Sequence, residues 1–208
     1  MVKSSYLIMI IYKKEDIDKI ERIKNIKLIN SICGIRSVHL IGTKSNDDVS
    51  NLAIFSSVTH LGSRPPLLSF VSRPSDTVKR DTITNIKQNK YYTINSVEKN
   101  CFIKAHQTSG KYESHISEFT ACGLNEEYIN GFHAPFVDDS KIKLGMKFIN
   151  SIPIKENNTE LVIGEIIFIK MHSSIIEENF QDSVSIIGLN SYYKHKKISE
   201  LEYVRIKK

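Results

Sequence analysis

The feature that most restricts the fold is a pair of long β-branched runs joined by a short polar turn. The runs are Lys147–Ile154 (KFINSIPI) and Glu160–His172 (ELVIGEIIFIKMH), and Glu156–Asn158 (ENN) between them is typical of a hairpin. Similar short runs occur at Arg36–Thr43 and Tyr91–Val97, and the predicted strands do not alternate regularly with helices, which argues against a Rossmann sheet. We therefore predict a mainly β chain of the α+β class, an antiparallel barrel with small helices at its ends.

Helices and loops are predicted from spacing and composition. From Glu15 to Ile32, isoleucines recur at helical spacing between charged residues, which predicts an amphipathic helix with one face packed on the body. Shorter helices are predicted at Asp81–Lys90, Asn100–His106 and Ser117–Ala121. His60–Pro66 (HLGSRPP) is predicted as a loop, because glycine and a proline pair break regular elements.

Bulk properties exclude several classes of protein. The 208 residues suffice for one domain with an arm, and no apolar run approaches the roughly 20 residues of a membrane span. No cleavage site follows the apolar run Tyr6–Tyr12, so we expect a cytoplasmic protein without a membrane role. The net charge is +6, but no basic stripe with interleaved aromatics is present, so anionic small molecules are expected rather than nucleic acid.

Cysteine and histidine spacing gives no sign of a metal site. The three cysteines form no CxxC pair, so we do not expect a disulfide framework or a zinc site. We expect buried free thiols instead. No HxxxH or HExxH occurs among the seven histidines, and no GxSxG supports a hydrolase triad. The free thiols are Cys33, Cys101 and Cys122.

The stretch Asn51–Ile86 concentrates hydroxyls and basic residues around one apolar run, Leu67–Arg73. Arginine forks, lysine and a helix N-terminus are all suited to phosphate oxygens, so this stretch is a candidate anion site. The alternative is a solvated loop whose Ser and Asp only cap a helix, since no P-loop or GxGxxG is present. The candidate side chains are Ser56, Ser57, Arg73, Lys79, Arg80 and Thr82.

Several motifs in this stretch and beyond it resemble the flavin reductase-like family, the FMN-binding split barrels that include flavoredoxin. These motifs are NLAIFSS, HLGSRPPLLSF, TVKRDTITNI, YYTIN, SEFTACGL, APFV, LVIGEI and GLNSYY, in that order along the chain. The resemblance extends from about Lys27 to Tyr203. It departs from the family pattern at Gly34–Ser37, where the family often has Pro-Arg-Pro, and at Ile54, where the family motif has proline.

The resemblance implies a Greek-key split β-barrel with short peripheral helices over residues 27–208, preceded by an arm or helix over residues 1–26. It also implies a homodimer with FMN in a groove at the subunit interface. A ring-side segment would face the isoalloxazine and ribityl chain, and a phosphate-side segment, Ser72–Thr82, would hold the phosphate. The ring-side segment comprises Ile54, Phe55, Ser56 and Ser57, and the phosphate-side candidates are Ser72, Arg73, Lys79, Arg80 and Thr82.

The implied activity is that of an FMN-dependent oxidoreductase, either an NAD(P)H-dependent flavin reductase or a flavoredoxin-like electron-transfer protein. NADH, NADPH or a partner protein would be the electron donor. The alternative is a non-catalytic flavin-binding or redox-carrier module. No catalytic residue is nominated, because the redox chemistry belongs to the cofactor.

Some histidine and tyrosine roles stay open. His60 would lie near the flavin ring or be an ordinary surface histidine, and His106 presents the same choice. The role of His115 is open as well. Tyr192 and Tyr193 would either cover the flavin or pack at the dimer interface, and packing is favoured.

Overall fold

The computed structural model describes residues 9–75, 80–129, 131–177 and 183–205. The strands are β1 (Arg36–Ser37), β2 (His39–Lys44), β3 (Ser50–Phe55), β4 (Thr59–Ser63), β5 (Pro66–Ser72), β6 (Tyr91–Ser96), β7 (Glu126–Glu127), β8 (Phe136–Val137), β9 (Ile142–Ile154), β10 (Thr159–Met171), β11 (Ser185–Ile187) and β12 (Ser191–Tyr193). The helices are α1 (Lys14–Lys19), α2 (Arg22–Ile32), α3 (Asp81–Asn89), α4 (Phe102–Gln107), α5 (Glu118–Cys122) and α6 (Ser173–Glu177).

The main sheet of the described residues has seven strands in the order β3-β2-β6-β9-β10-β5-β4, and every neighbouring pair is antiparallel. The predicted hairpin between the two long runs is confirmed as β9 and β10, each of 13 residues. Their pairing shifts register between Ile163 and Gly164 and between Ile166 and Phe168. Such bulges bend a strand pair and increase its twist, which helps the sheet to curve.

Two hydrophobic cores lie on opposite faces of this sheet, because side chains alternate along each strand. On β2, Leu40 belongs to the first core and the adjacent Ile41 to the second. The first core is covered by α4 and α5, and the second is covered by α3, which contributes Ile83 and Ile86.

The sheet curls so that the chain after edge strand β3 reaches the opposite side of the sheet. The Ser57 hydroxyl accepts a hydrogen bond from the Val71 N–H at 3.1 Å and donates one to the Val71 carbonyl at 3.3 Å. The chain then continues as β4, which pairs with β5. The fold is the predicted split barrel, mainly antiparallel β with short helices around it.

The single N-terminal helix predicted from Glu15 to Ile32 is wrong. The chain breaks at Ile20 and Glu21, where the Glu21 carboxylate caps α2 by accepting from the N–H groups of Ile23 and Lys24. Neither helix has a buried residue, so the predicted packing of the apolar face on the body is not seen in the single chain. The division of the chain at residue 26 stays a prediction.

The loop predicted at His60–Pro66 is also wrong, because β4 occupies Thr59–Ser63 and forms a hairpin with β5. Gly62 lies at a register shift in this pairing and Pro66 is the first residue of β5, which are the positions where a sheet accepts these residues. Of the cysteines, Cys101 and Cys122 are buried as expected, but Cys33 at the end of α2 is exposed.

Candidate functional site

The ring-side segment begins at the end of edge strand β3. Ile54 packs against the first core and Phe55 against the second, where its ring lies edge-on to Phe70 with centroids 4.9 Å apart. Both side chains are half-buried. The two cores therefore hold this strand end from both faces.

The two serines that follow differ in their contacts. The Ser57 hydroxyl is bonded to both backbone groups of Val71, so it holds the segment across the barrel. The Ser56 hydroxyl makes no hydrogen bond within the part of the chain that the structure describes. Ser56 is therefore the serine whose hydroxyl is available to a ligand.

The phosphate-side segment joins the end of β5 to the start of α3. Ser72 is buried and donates to the Arg73 carbonyl at 3.3 Å, while Arg73 is exposed. Arg80 directly precedes the nine-residue helix α3, and its Nε donates to the Pro74 carbonyl at 3.3 Å. Arg80 is the N-cap residue of α3, and its side chain makes no capping hydrogen bond to the helix. Lys79 lies outside the described residues.

Thr82 is placed differently from the other phosphate-side candidates. It is 7% exposed, and its hydroxyl donates to Asn51 Oδ1 at 2.9 Å. The Asn51 amide in turn donates to Glu118 Oε2 at 2.8 Å. The proton of Thr82 is thus directed into the protein, towards β3.

Sequence reasoning missed two residues of this region, Asn51 and Glu118. Glu118 is 8% exposed, and burial raises the pKa of its carboxyl, against the hydrogen bonds from the Leu52 N–H and Asn51 that lower it. The sequence did contain a sign of Glu118, because it is the one charged residue in the motif SEFTACGL. Glutamate is rarely buried without partners, so a buried position there would require them.

His39 was also missed. It lies opposite Phe55 in the pairing of β2 with β3, and burial lowers its pKa to about 4. Its Nδ1 has no hydrogen-bond partner among the described residues. A neutral imidazole therefore adjoins the ring-side segment.

The remaining histidine and tyrosine candidates do not lie together. His60 is exposed on β4, with its Nε2 3.2 Å from Ser63 Oγ. His106 Nδ1 lies 2.9 Å from the Tyr192 hydroxyl, and the Tyr192 ring also packs on Phe102 with centroids 5.3 Å apart. Burial raises the pKa of Tyr192. Tyr192 thus packs within the chain, while Tyr193 and His115 are exposed.

No group of three or more His, Cys, Asp or Glu that could hold a metal ion is found among the described residues. The chemistry that the site does offer is cationic and hydrogen-bonding. Arg73, Arg80 and the start of α3 provide donors for an anion, next to a strand end held between two cores. Asp81 adds a negative charge there, and its carboxylate accepts from Ser114 Oγ at 3.0 and 2.9 Å.

The fold and this arrangement define the class as a split-barrel protein with a cationic segment beside an edge strand. The model of the flavin reductase like domain matches residues 35–198. The chain belongs to the flavin reductase-like family, which places it among flavin-related redox proteins.

Solved structures agree with this assignment. A split-barrel protein of Shewanella frigidimarina NCIMB 400, assigned as a flavin reductase, is 39% identical, with a TM-score of 0.89 over 94% of this chain and 100% of that chain. Nitrilotriacetate monooxygenase component B of Bacillus cereus is 18% identical, with a TM-score of 0.82 over 93% and 99% of the two chains. Flavoredoxin of Desulfovibrio vulgaris (Miyazaki F) is 20% identical, with a TM-score of 0.70 over 82% and 92%. The last two share the fold.

Within the described residues, no helix has both the length and the apolar character that crossing a membrane requires.

Proposed function

We propose that the chain is an FMN-binding oxidoreductase, an NAD(P)H-dependent flavin reductase or a flavoredoxin-like electron-transfer protein. The observation that carries the proposal is the adjacency of the two segments. The ring-side segment lies at the end of β3, and Thr82 in the first turn of α3 contacts Asn51 near the start of the same strand. The uncapped start of α3, with Arg80, therefore lies beside β3. A flavin mononucleotide needs both a place for its ring and donors for its phosphate.

The donor set fits the phosphate of FMN. Arg73 is exposed, and the terminal nitrogens of Arg80 donate no hydrogen bond within the described part of the chain. Both guanidinium groups can present their planar fork to phosphate oxygens. The N–H groups at the start of α3 add partial positive charge. Lys79 and Ser72 complete the proposed phosphate-side set.

In this proposal, Thr82 acts through its backbone and its position, and its hydroxyl does not contact the phosphate. Because its proton is directed at Asn51, it supports the position of α3 beside β3 and supplies the phosphate with the backbone N–H of the first helical turn. Thr82 thus stays at the phosphate end of the site, but the donor to the phosphate is a backbone N–H and not the Thr82 hydroxyl.

At the other end, Ile54, Phe55, Ser56 and Ser57 would hold the isoalloxazine and ribityl chain, with His60 as a further candidate near the ring. When bound, the flavin supplies the redox chemistry, and the protein supplies binding and orientation. Ile54 and Phe55 orient the strand end by packing into two cores, and the Ser56 hydroxyl can donate to the ligand.

We include a homodimer in the proposal, with the flavin at the subunit interface. Apolar side chains on α2 and near the C-terminus are strongly exposed in the single chain, including Ile23 at 61%, Ile32 at 67% and Leu201 at 87%. Monomeric proteins rarely expose large apolar patches, so a second subunit is the expected cover. Sedimentation of the purified chain tests this point.

Anaerobic stopped-flow mixing of the FMN-loaded protein with NADH or NADPH tests the activity. Bleaching of the flavin absorbance supports the reductase. A flavin that stays oxidised with both nucleotides favours the redox-carrier alternative. A colourless protein that takes up no added FMN contradicts both.

A further inference from the structure

A chain of hydrogen bonds runs from α3 to α5 through the start of β3. Asn85 Nδ2 donates to Thr43 Oγ1 at 3.1 Å. Thr43 and Thr82 both donate to Asn51 Oδ1, at 3.2 and 2.9 Å. Asn51 Nδ2 then donates to Glu118 Oε2 at 2.8 Å.

The direction of this chain is fixed by chemistry. Glu118 Oε2 already accepts from a backbone N–H, so the Asn51 amide presents its Nδ2 to this oxygen and its Oδ1 to the two threonines. The same carboxylate oxygen also accepts from the Leu52 N–H at 2.9 Å. Glu118 therefore holds both the Asn51 side chain and the backbone of β3, two residues before Ile54.

Four of the five members of this hydrogen-bond chain are buried, and Asn51 is half-buried. The exposed fractions are 0% for Thr43, 5% for Asn85, 7% for Thr82 and 8% for Glu118. Buried polar groups that lose a partner are left unsatisfied, so each link resists displacement. Helix α5 is itself fixed on β3, because Ser117 Oγ lies 2.7 Å from Ser50 Oγ and Phe119 belongs to the first core.

We propose that Glu118 is a positioning residue for the flavin, which sets the spacing between the ring-side segment and the start of α3. The inference rests on the proposed function and deepens it. FMN engages both ends of the site at once, and a second contact within one ligand is favourable only when the two ends have the matching spacing. Riboflavin lacks the phosphate and reports on the ring-side end alone.

The test measures dissociation constants of FMN and riboflavin for the full-length chain by quenching of flavin fluorescence. In Glu118→Ala, the preference for FMN over riboflavin falls about tenfold, the scale of one lost hydrogen bond to a charged group. Riboflavin affinity changes much less. Glu118→Gln retains an acceptor oxygen for Asn51 and Leu52, so it restores most of the preference.

The matched control is Glu98→Ala. Glu98 is 4% exposed and accepts from Ser96 Oγ and, at 3.2 Å, from the Lys141 N–H, and it bonds no described residue of either segment. This variant reports the general cost of removing a buried carboxylate, and its FMN preference equals that of the wild type.

Thr43→Val is a second, independent variant. Its side chain is fully buried and cannot touch a ligand, and valine keeps the shape while removing both links to Asn51 and Asn85. It lowers the FMN preference in the same direction, and it decides the matter if Glu118→Ala does not fold. Folded variants that keep the wild-type preference overturn the inference alone. A wild-type protein that binds neither flavin overturns the proposed function and the inference with it.

Discussion

The hydroxyl of Ser57 occupies both backbone hydrogen-bonding groups of Val71, accepting from its N–H at 3.1 Å and donating to its carbonyl at 3.3 Å. Ser57 follows edge strand β3, whereas Val71 lies in β5, near the opposite edge of the sheet. One side chain thus joins the two sides of the split barrel at the ring-side segment.

Replacing this serine should weaken the whole fold. Ser57→Ala leaves two backbone groups of Val71 without their partner, and we expect a loss of about 1–3 kcal/mol in the free energy of unfolding. Urea unfolding followed by circular dichroism measures it. Ser56→Ala is the matched control, because the Ser56 hydroxyl has no partner among the described residues and its loss should leave stability unchanged. Equal effects of the two substitutions would show that the Ser57 bridge contributes nothing.

Arg80 should contribute to binding through the phosphate. Arg80→Ala is expected to weaken FMN binding by about 1.5–3 kcal/mol, the range for a hydrogen bond to a charged group, and riboflavin binding much less. Titration calorimetry with both ligands measures the difference. Arg64→Ala, an exposed arginine between β4 and β5, is the control for the loss of one positive charge. Equal losses for FMN and riboflavin in Arg80→Ala would mean that Arg80 does not touch the phosphate.

The close approach of Gly164 to Tyr92 should be intolerant of a larger residue. A Cβ at Gly164 would lie 2.1 Å from Tyr92 Oη and 2.9 Å from Cζ. Because such overpacking forces neighbours to move, Gly164→Ala should lower the free energy of unfolding by about 1–3 kcal/mol.

Removing the tyrosine hydroxyl should relieve part of this cost. Tyr92 Oη is buried and has no hydrogen-bond partner within the described residues, so Tyr92→Phe alone should be neutral or stabilising. In a double-mutant cycle, the two substitutions should therefore cost less together than the sum of their separate effects. Strict additivity would show that the two groups do not meet.

His39 should make stability depend on pH. Burial lowers its pKa from 6.5 to about 4, so the unfolded chain binds a proton there more readily than the folded chain does. The stability contribution is present above pH 6.5 and is lost as the pH falls through the folded pKa of about 4. Relative to His39→Asn, the wild type should lose up to about 1.4 kcal/mol per pH unit in this window. Denaturation at a series of pH values measures the difference, and parallel curves for the two proteins would contradict the assignment.

Local patterns in the sequence were sufficient for most elements of the barrel. The β-branched runs became β2, β6, β9 and β10, and the polar turn after Ile154 formed the predicted hairpin. The prediction was wrong at β4, because pairing with β5 placed glycine at a register shift and proline at a strand start. It was also wrong at α1 and α2, where the Glu21 cap divides a continuous isoleucine pattern.

For the candidate site, the sequence suggested the two segments but not the contacts that join them. Ser57 was predicted to lie in the ring-side segment, which stays a prediction, and the structure adds that its hydroxyl bonds β5. Thr82 was predicted at the phosphate end of the site, which stays a prediction, and its hydroxyl donates a hydrogen bond to Asn51. Neither partner is near in sequence, so spacing could not reveal them.

The sequence by itself determined most of the strand pattern and the flavin reductase-like family, because these depend on local side-chain alternation and on ordered motifs. Only the tertiary structure decided which hydroxyls of the two segments bond within the fold and which have no partner among the described residues. It also showed that Glu118 joins β3 to α5 across 66 residues of chain. The physical reason is that a buried hydrogen bond depends on which groups the folded sheet brings within about 3 Å, and not on their distance along the chain.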